Sequence, residues 1–230
     1  MPAPAPLNSR CRHAPDFWSL VTSTQESALA ARAPLVDVAN GLCQSPEALV
    51  ADTISLFTVL HGEMPSLIDL VARNTSGLRD VLAPAVAAFE KDRKWLATLS
   101  RETGARVDLA GLTDAETATR GLREAMLTLA GSSRNGCTTG TILAFLTEWP
   151  GLRSALDLAG TLALSARWPS LSAEWPATPL AMITKVAEPL YDDDATARAL
   201  AFGAQQFSLI HAQLFDIVQT RTDARNARDE

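Results

Sequence analysis

The chain has 230 residues, 47% of them hydrophobic, and a formal net charge of −6. That is apolar material for one largish domain with a buried core, and it does not fit a disordered chain. The acidic balance works against nucleic acid as a partner, because phosphate contacts need clustered Lys and Arg. Only Lys91–Lys94 approaches such a cluster, and Asp92 interrupts it. The three cysteines, Cys11, Cys43 and Cys137, are odd in number and lack CxxC spacing, so neither a disulfide framework nor a zinc knuckle follows. The N-terminus has no apolar signal core, and the longest apolar tract, Leu158–Ala166, is too short to span a bilayer. A reduced, cytoplasmic, soluble protein with no membrane or nucleic-acid partner is expected.

Residues 1–15 read as a mobile tail rich in Pro, Ala and Arg, ahead of a single domain over 16–222 and a polar tail over 223–230. Asp16 caps a first helix to about Arg32. Ser45 and Pro46 start a second, ending at His61–Gly62. Pro65 opens a short helix to Asn74, and Ser76 caps a longer one to about Thr103, with a kink or break expected at Pro84. Residues 104–111 carry a hint of extended structure. Thr113 and Glu116 form a capping-box pair for a helix ending near Gly131. Two helices are expected over 136–149 and 151–166, split at Pro150, then a Pro-rich loop and a short helix around Leu180–Glu188. A long final helix starts at the Asp192–Asp194 run. No strand-like alternation is sustained. The expected fold is an all-α, single-domain bundle of about eight helices with a long central C-terminal helix.

That last helix contains FGAQQFSLIH, Phe202–His211. At about 100° per residue, Leu200, Ala204, Phe207, His211, Leu214 and Val218 form one stripe with a histidine near its centre. Gln206 falls at the stripe's edge, while Gln205 falls opposite, beside Phe202 and Leu209. A helix apolar on both sides reads as central. Val50, Ile54, Phe57 and His61 repeat the arrangement. Each histidine is either a core residue bonded to a backbone carbonyl or part of a pocket shared by His61, His211 and Gln206. Metal ligation is not expected: Thr58 and Ser208 stand three before the histidines, where a carboxylate-bridged bundle needs Glu.

Ser132–Gly140 is polar, punctuated by glycine, and enters a helix. With Arg134 it could hold an anion, or Gly136 and Gly140 could simply let helices pack closely. Cys137 has no identifiable base beside it. Asp192–Asp194 reads as a charged N-cap and not as a magnesium motif. Of the five tryptophans, Trp149, Trp168 and Trp175 precede proline; they pin helix ends, or residues 166–179 form a lid.

The segments LHGEMPSLID, RNGCTTGTILAFLTEW and FGAQQFSLIHAQLFD resemble a helical family of alphaproteobacteria, mainly of the sphingomonad group, over roughly residues 45–220. The resemblance implies an α-helical protein and brings no assigned activity or catalytic residue. A helical histidine and the helix count also give a looser likeness to haem-oxygenase-type bundles, at the level of fold. The functional expectation is a binding or regulatory protein holding a small molecule or protein partner in an interhelical groove, with His61, His211, Gln206 and Arg134 as candidate contacts. The alternatives are a haem-oxygenase-like enzyme using a histidine on a porphyrin, or a scaffold without a pocket. The sequence names no cofactor.

Overall fold

A computed structural model of the protein describes residues 16–104, 109–164, 168–169, 171 and 174–229. Among these residues the fold is all-α, with nine α-helices and no strand. They are α1 (Phe17–Ala31), α2 (Ala33–Ala39), α3 (Pro46–His61), α4 (Leu67–Asn74), α5 (Arg79–Thr103), α6 (Leu112–Ala130), α7 (Cys137–Leu164), α8 (Thr178–Ala187) and α9 (Asp194–Asp229). Short 3-10 turns lie at Ser76–Leu78 and Glu188–Asp192. None of the helices is long and apolar enough to cross a membrane. The expected N-terminal tail, half of the 104–111 stretch and part of the 166–179 loop lie outside the described residues.

Helix starts follow local chemistry, with departures from expectation. Asp16 accepts from Ser19 N at 2.9 Å and caps α1. Asp193 accepts from Thr196 N at 2.8 Å and opens α9, so the acidic run is a cap. Ser66 and Asp69 form a reciprocal capping box on α4. The box expected at Thr113 and Glu116 does not form. Gly111, at φ +67°, turns the chain two residues earlier, which leaves Thr113 inside α6 and exposed. Ser45 precedes α3 as expected, but its hydroxyl donates to Asn226 Oδ1 at 3.0 Å and not to the helix end.

Both expected proline breaks are absent. Pro84 lies in the second turn of α5 and is exposed, so water can reach the Asp80 carbonyl that it leaves without a donor. Pro150 lies inside a continuous α7. Around it, Trp149 Nε1 and Arg153 Nη2 each donate to a different oxygen of Asp92, both at 2.8 Å. This buried clamp from α5 ties the residues on either side of the proline to one carboxylate. Burial nevertheless lifts Asp92 above the ordinary carboxylate range. Trp149 therefore anchors the middle of a helix and not its end.

Helices α3, α7 and α9 form the heart of the bundle, with α9 against α1, α3, α6 and α7. Glycines bring α7 and α9 together. A Cβ on Gly140 would lie 1.9 Å from Leu200 O, and one on Gly203 would lie 2.1 Å from Cys137 O. The close-packing reading of Gly140 therefore holds. Further along the same pair, the Phe145 and Phe207 rings pack edge to face at 5.9 Å, so the two helices run in the same direction.

The far end of α9 does not fray at 223 as expected. Asp52, fully buried on α3, accepts from Arg221 Nη2 at 3.1 Å and Arg225 Nη2 at 2.6 Å. This pairing holds the last turns helical to Asp229. In the loop read either as pinned by its tryptophans or as a lid, Trp168 donates to Asp157 Oδ1 at 2.8 Å and Pro169 O accepts from Trp95 at 2.8 Å. Trp168 and Pro169 are docked by these bonds.

Candidate functional site

The two helical histidines meet. His61 ends α3 and His211 lies mid-way along α9, and their Nε2 atoms are 3.0 Å apart with both side chains buried. Each stripe points its histidine inward because the surrounding positions are large and apolar. The rings sit among Phe57, Phe89, Phe145, Trp149 and Phe207, with His61–Trp149 at 5.0 Å and His211–Phe207 at 4.6 Å between centroids.

The partners continue outward from His211. Its Nδ1 lies 2.6 Å from Glu148 Oε2, and the Ser208 hydroxyl donates to Glu148 Oε1. Glu148 is buried within α7, so it must have hydrogen-bonding donors around it. His211 Nδ1–H and the Ser208 O–H supply them. With the Nδ1 proton directed at Glu148, the facing Nε2 atoms need one proton between them. His61 donates when His211 is neutral, and the direction reverses when His211 is cationic. Burial holds the His61 pKa well below the ordinary histidine value, with His211 and Arg123 as further causes, so His61 is neutral. Arg123 donates to Glu63 O and Pro65 O, both at 3.1 Å, and fixes the loop after His61. The result is a four-residue hydrogen-bonded chain: His61, His211, Glu148, Ser208.

The outer end of that chain reaches an open groove. Helices α1, α2 and α9 bound a space of about 520 Å³ whose wall includes Ser208. Gln205, Leu209, Ala212 and Phe215 of α9 line it with Ser208, on one helical face. Ser23, Ser27 and Ala31 face them from α1, and Pro34 from α2. Asp216 is the one charged residue among the described lining groups, and no Lys or Arg joins it. The Phe202–Gln205–Leu209 side of α9, expected to be covered by neighbours, is exposed. Residues of small volume on α1 cannot fill the space beside it.

The other two candidate residues stand apart. Gln206 is half-buried and neither lines the groove nor bonds to either imidazole; its neighbour Gln205 lines the groove instead. Arg134 is exposed, with its guanidinium carbon 5.8 Å from the Phe202 ring centroid, outside the groove lining. Sequence reasoning missed Glu148 and Ser208 as site residues. Glu148 left a signal, as the lone carboxylate in the apolar run TILAFLTEWP.

This geometry limits the chemistry. A porphyrin needs an axial nitrogen facing a wide cavity, whereas each Nε2 here faces the other inside a packed aromatic shell. The haem alternative therefore gains nothing from the site. Ser208 contacts the carboxylate and not an imidazole, so the row lacks the serine–histidine contact of a Ser-His-Asp triad. Among the described residues, no group of three or more His, Cys, Asp or Glu is placed to hold a metal ion.

The sequence pattern of DUF6975, a family of unknown function, matches residues 24–226. That span is most of the chain, and the chain belongs to this family. No curated protein and no solved structure matches it.

Proposed function

We propose that this member of the DUF6975 family is a binding protein that holds a small amphipathic molecule, neutral or cationic, in the groove between α1, α2 and α9. The observation that carries the reading is the groove itself. Its volume of about 520 Å³ suits a small ligand, within the roughly 300–1,000 Å³ usual for such sites. Leu209, Ala212, Phe215 and Pro34 offer apolar contact, while Gln205 and the serines offer orientation. A lining with Asp216 and no cation disfavours anions.

Three environment-sensitive dyes of different charge test it: neutral Nile red, cationic rhodamine 6G and anionic 1-anilinonaphthalene-8-sulfonate. The first two are expected to bind saturably and the third weakly. Ala212→Trp, which puts a bulky side chain on the groove wall, is expected to abolish binding while circular dichroism stays helical. Saturable binding that survives Ala212→Trp, or preference for the anion, would refute the proposal.

A further inference from the structure

The buried chain does not stop at the core, and its outer end decides what the groove can recognise. Ser208 has one hydroxyl hydrogen, and that hydrogen is donated to Glu148 Oε1. A hydroxyl has one donor and two acceptor lone pairs. Ser208 also lines the groove. What it can offer a ligand there is a lone pair and not a hydrogen. Glu148 is held as a double acceptor because His211 occupies its other oxygen, and His211 is in turn oriented by His61.

We infer that Ser208 is a ligand-binding residue that selects hydrogen-bond donors, amines or hydroxyls attached to an apolar body, because the Glu148–His211–His61 chain locks its hydroxyl in the acceptor sense. The inference rests on the groove being the binding site. Asp216 on the same wall favours the same ligands, since an ammonium group satisfies both residues. The charged groups around the chain are few. Glu148 comes from α7 itself and Arg123 from α6 acts on His61, while the Arg153 guanidinium is bound to Asp92. Among the described lining residues there is no Lys or Arg to favour an acceptor ligand instead.

The polarity is also reversible by one atom. In Glu148→Gln, with His211 keeping its proton on Nδ1, the amide carbonyl accepts from it, which turns the amide N–H toward Ser208. The serine hydrogen is then released toward the groove, and the site changes from acceptor to donor.

The experiment is displacement of Nile red by three molecules of similar length: dodecylamine, dodecan-1-ol and methyl undecanoate. The last can only accept. Wild type is expected to prefer the alcohol over the ester by about fivefold to tenfold, the equivalent of one net hydrogen bond, and the amine at least as strongly. Ser208→Ala is expected to erase the preference with little change for the ester. Glu148→Gln is expected to erase or invert it. If Glu148→Gln does not fold, Ser208→Ala decides alone. Displacement by all three at equal concentration, still blocked by Ala212→Trp, would overturn the inference and leave the groove standing. Absence of any binding that Ala212→Trp blocks would overturn both.

Discussion

His211→Leu separates a structural row of polar groups from a merely tolerated histidine. Leucine suits the stripe and keeps apolar contact with Phe207 and Phe57, whose rings lie 4.6 and 6.2 Å from the imidazole. The change therefore isolates the polar loss. Two buried atoms lose their partner, Glu148 Oε2 at 2.6 Å and His61 Nε2 at 3.0 Å. An unsatisfied buried neutral group costs about 1–3 kcal/mol. Removing one member of a buried charged pair costs roughly 3–5 kcal/mol. With the carboxylate as the larger loss, His211→Leu should cost roughly 3–5 kcal/mol. His61→Leu leaves the Glu148–His211 contact intact and should cost only about 1–3 kcal/mol. For a chain of this size each kcal/mol moves Tm by roughly 2–4 °C. His211→Leu should therefore lower Tm by roughly 6–20 °C, clearly more than His61→Leu. Adding Glu148→Leu to His211→Leu should recover part of the loss, because the stranded carboxylate goes too. Urea titrations and thermal scans of the four proteins measure this. A His211→Leu variant as stable as His61→Leu would refute the reasoning.

Other outcomes follow from neighbouring features. His61 titrates well below its ordinary value because of burial, so below about pH 6.5 the unfolded chain binds a proton that the folded chain refuses. Stability should be unaffected by this group above that pH and fall by up to about 1.4 kcal/mol per unit beneath it. Urea midpoints at pH 7.5, 6.5 and 5.5 would show the slope, and His61→Leu should flatten it. Gly140→Ala must push Leu200 O away from a Cβ placed at 1.9 Å and should destabilise strongly, whereas Gly121→Ala meets nothing within 4 Å and should stabilise by up to about 1 kcal/mol. Equal urea midpoints for the two would contradict the crossing geometry. Asp52→Ala takes the shared carboxylate from buried Arg221 and half-buried Arg225 at the end of α9 and should cost roughly 3–5 kcal/mol, with earlier amide exchange over residues 218–229. Unchanged exchange there would show that the pairing does not hold the helix end.

The sequence announced the helices through periodicity, and its matching stripes left a meeting of the two histidines as one of two readings. Such signals are local, or summed over a whole helix face. What it concealed depends on distant partners. Pro150 reads as a break because the helix it interrupts is held by Asp92, 57 residues from Trp149 along the chain. The Thr113 cap reads well until Gly111 turns first. Arg225 reads as part of a fraying tail until Asp52 is found beneath it. Gln206 and Gln205 are adjacent, and periodicity alone could not say which of them faces a gap left by small residues on α1. Ser208 reads as no metal ligand because it is not a carboxylate, yet its value comes from a carboxylate on another helix.

The glycine contact between α7 and α9 has a mechanical side. Gly140 and Gly203 touch the opposite backbone, and Glu148 and His211 each lie eight residues beyond, about 12 Å along their helices. The two helices behave as a pair of shears with the rivet at the glycines near their starts and the polar row part-way along the blades. A rotation of about 5° about the rivet moves a point at that distance by about 1 Å, enough to part Glu148 from His211. Anything that wedges itself between α1 and α9 pulls on one blade. The row of buried protons is therefore a gauge of how far the blades stand open, and the imidazole resonances of His61 and His211 are where that reading would be taken.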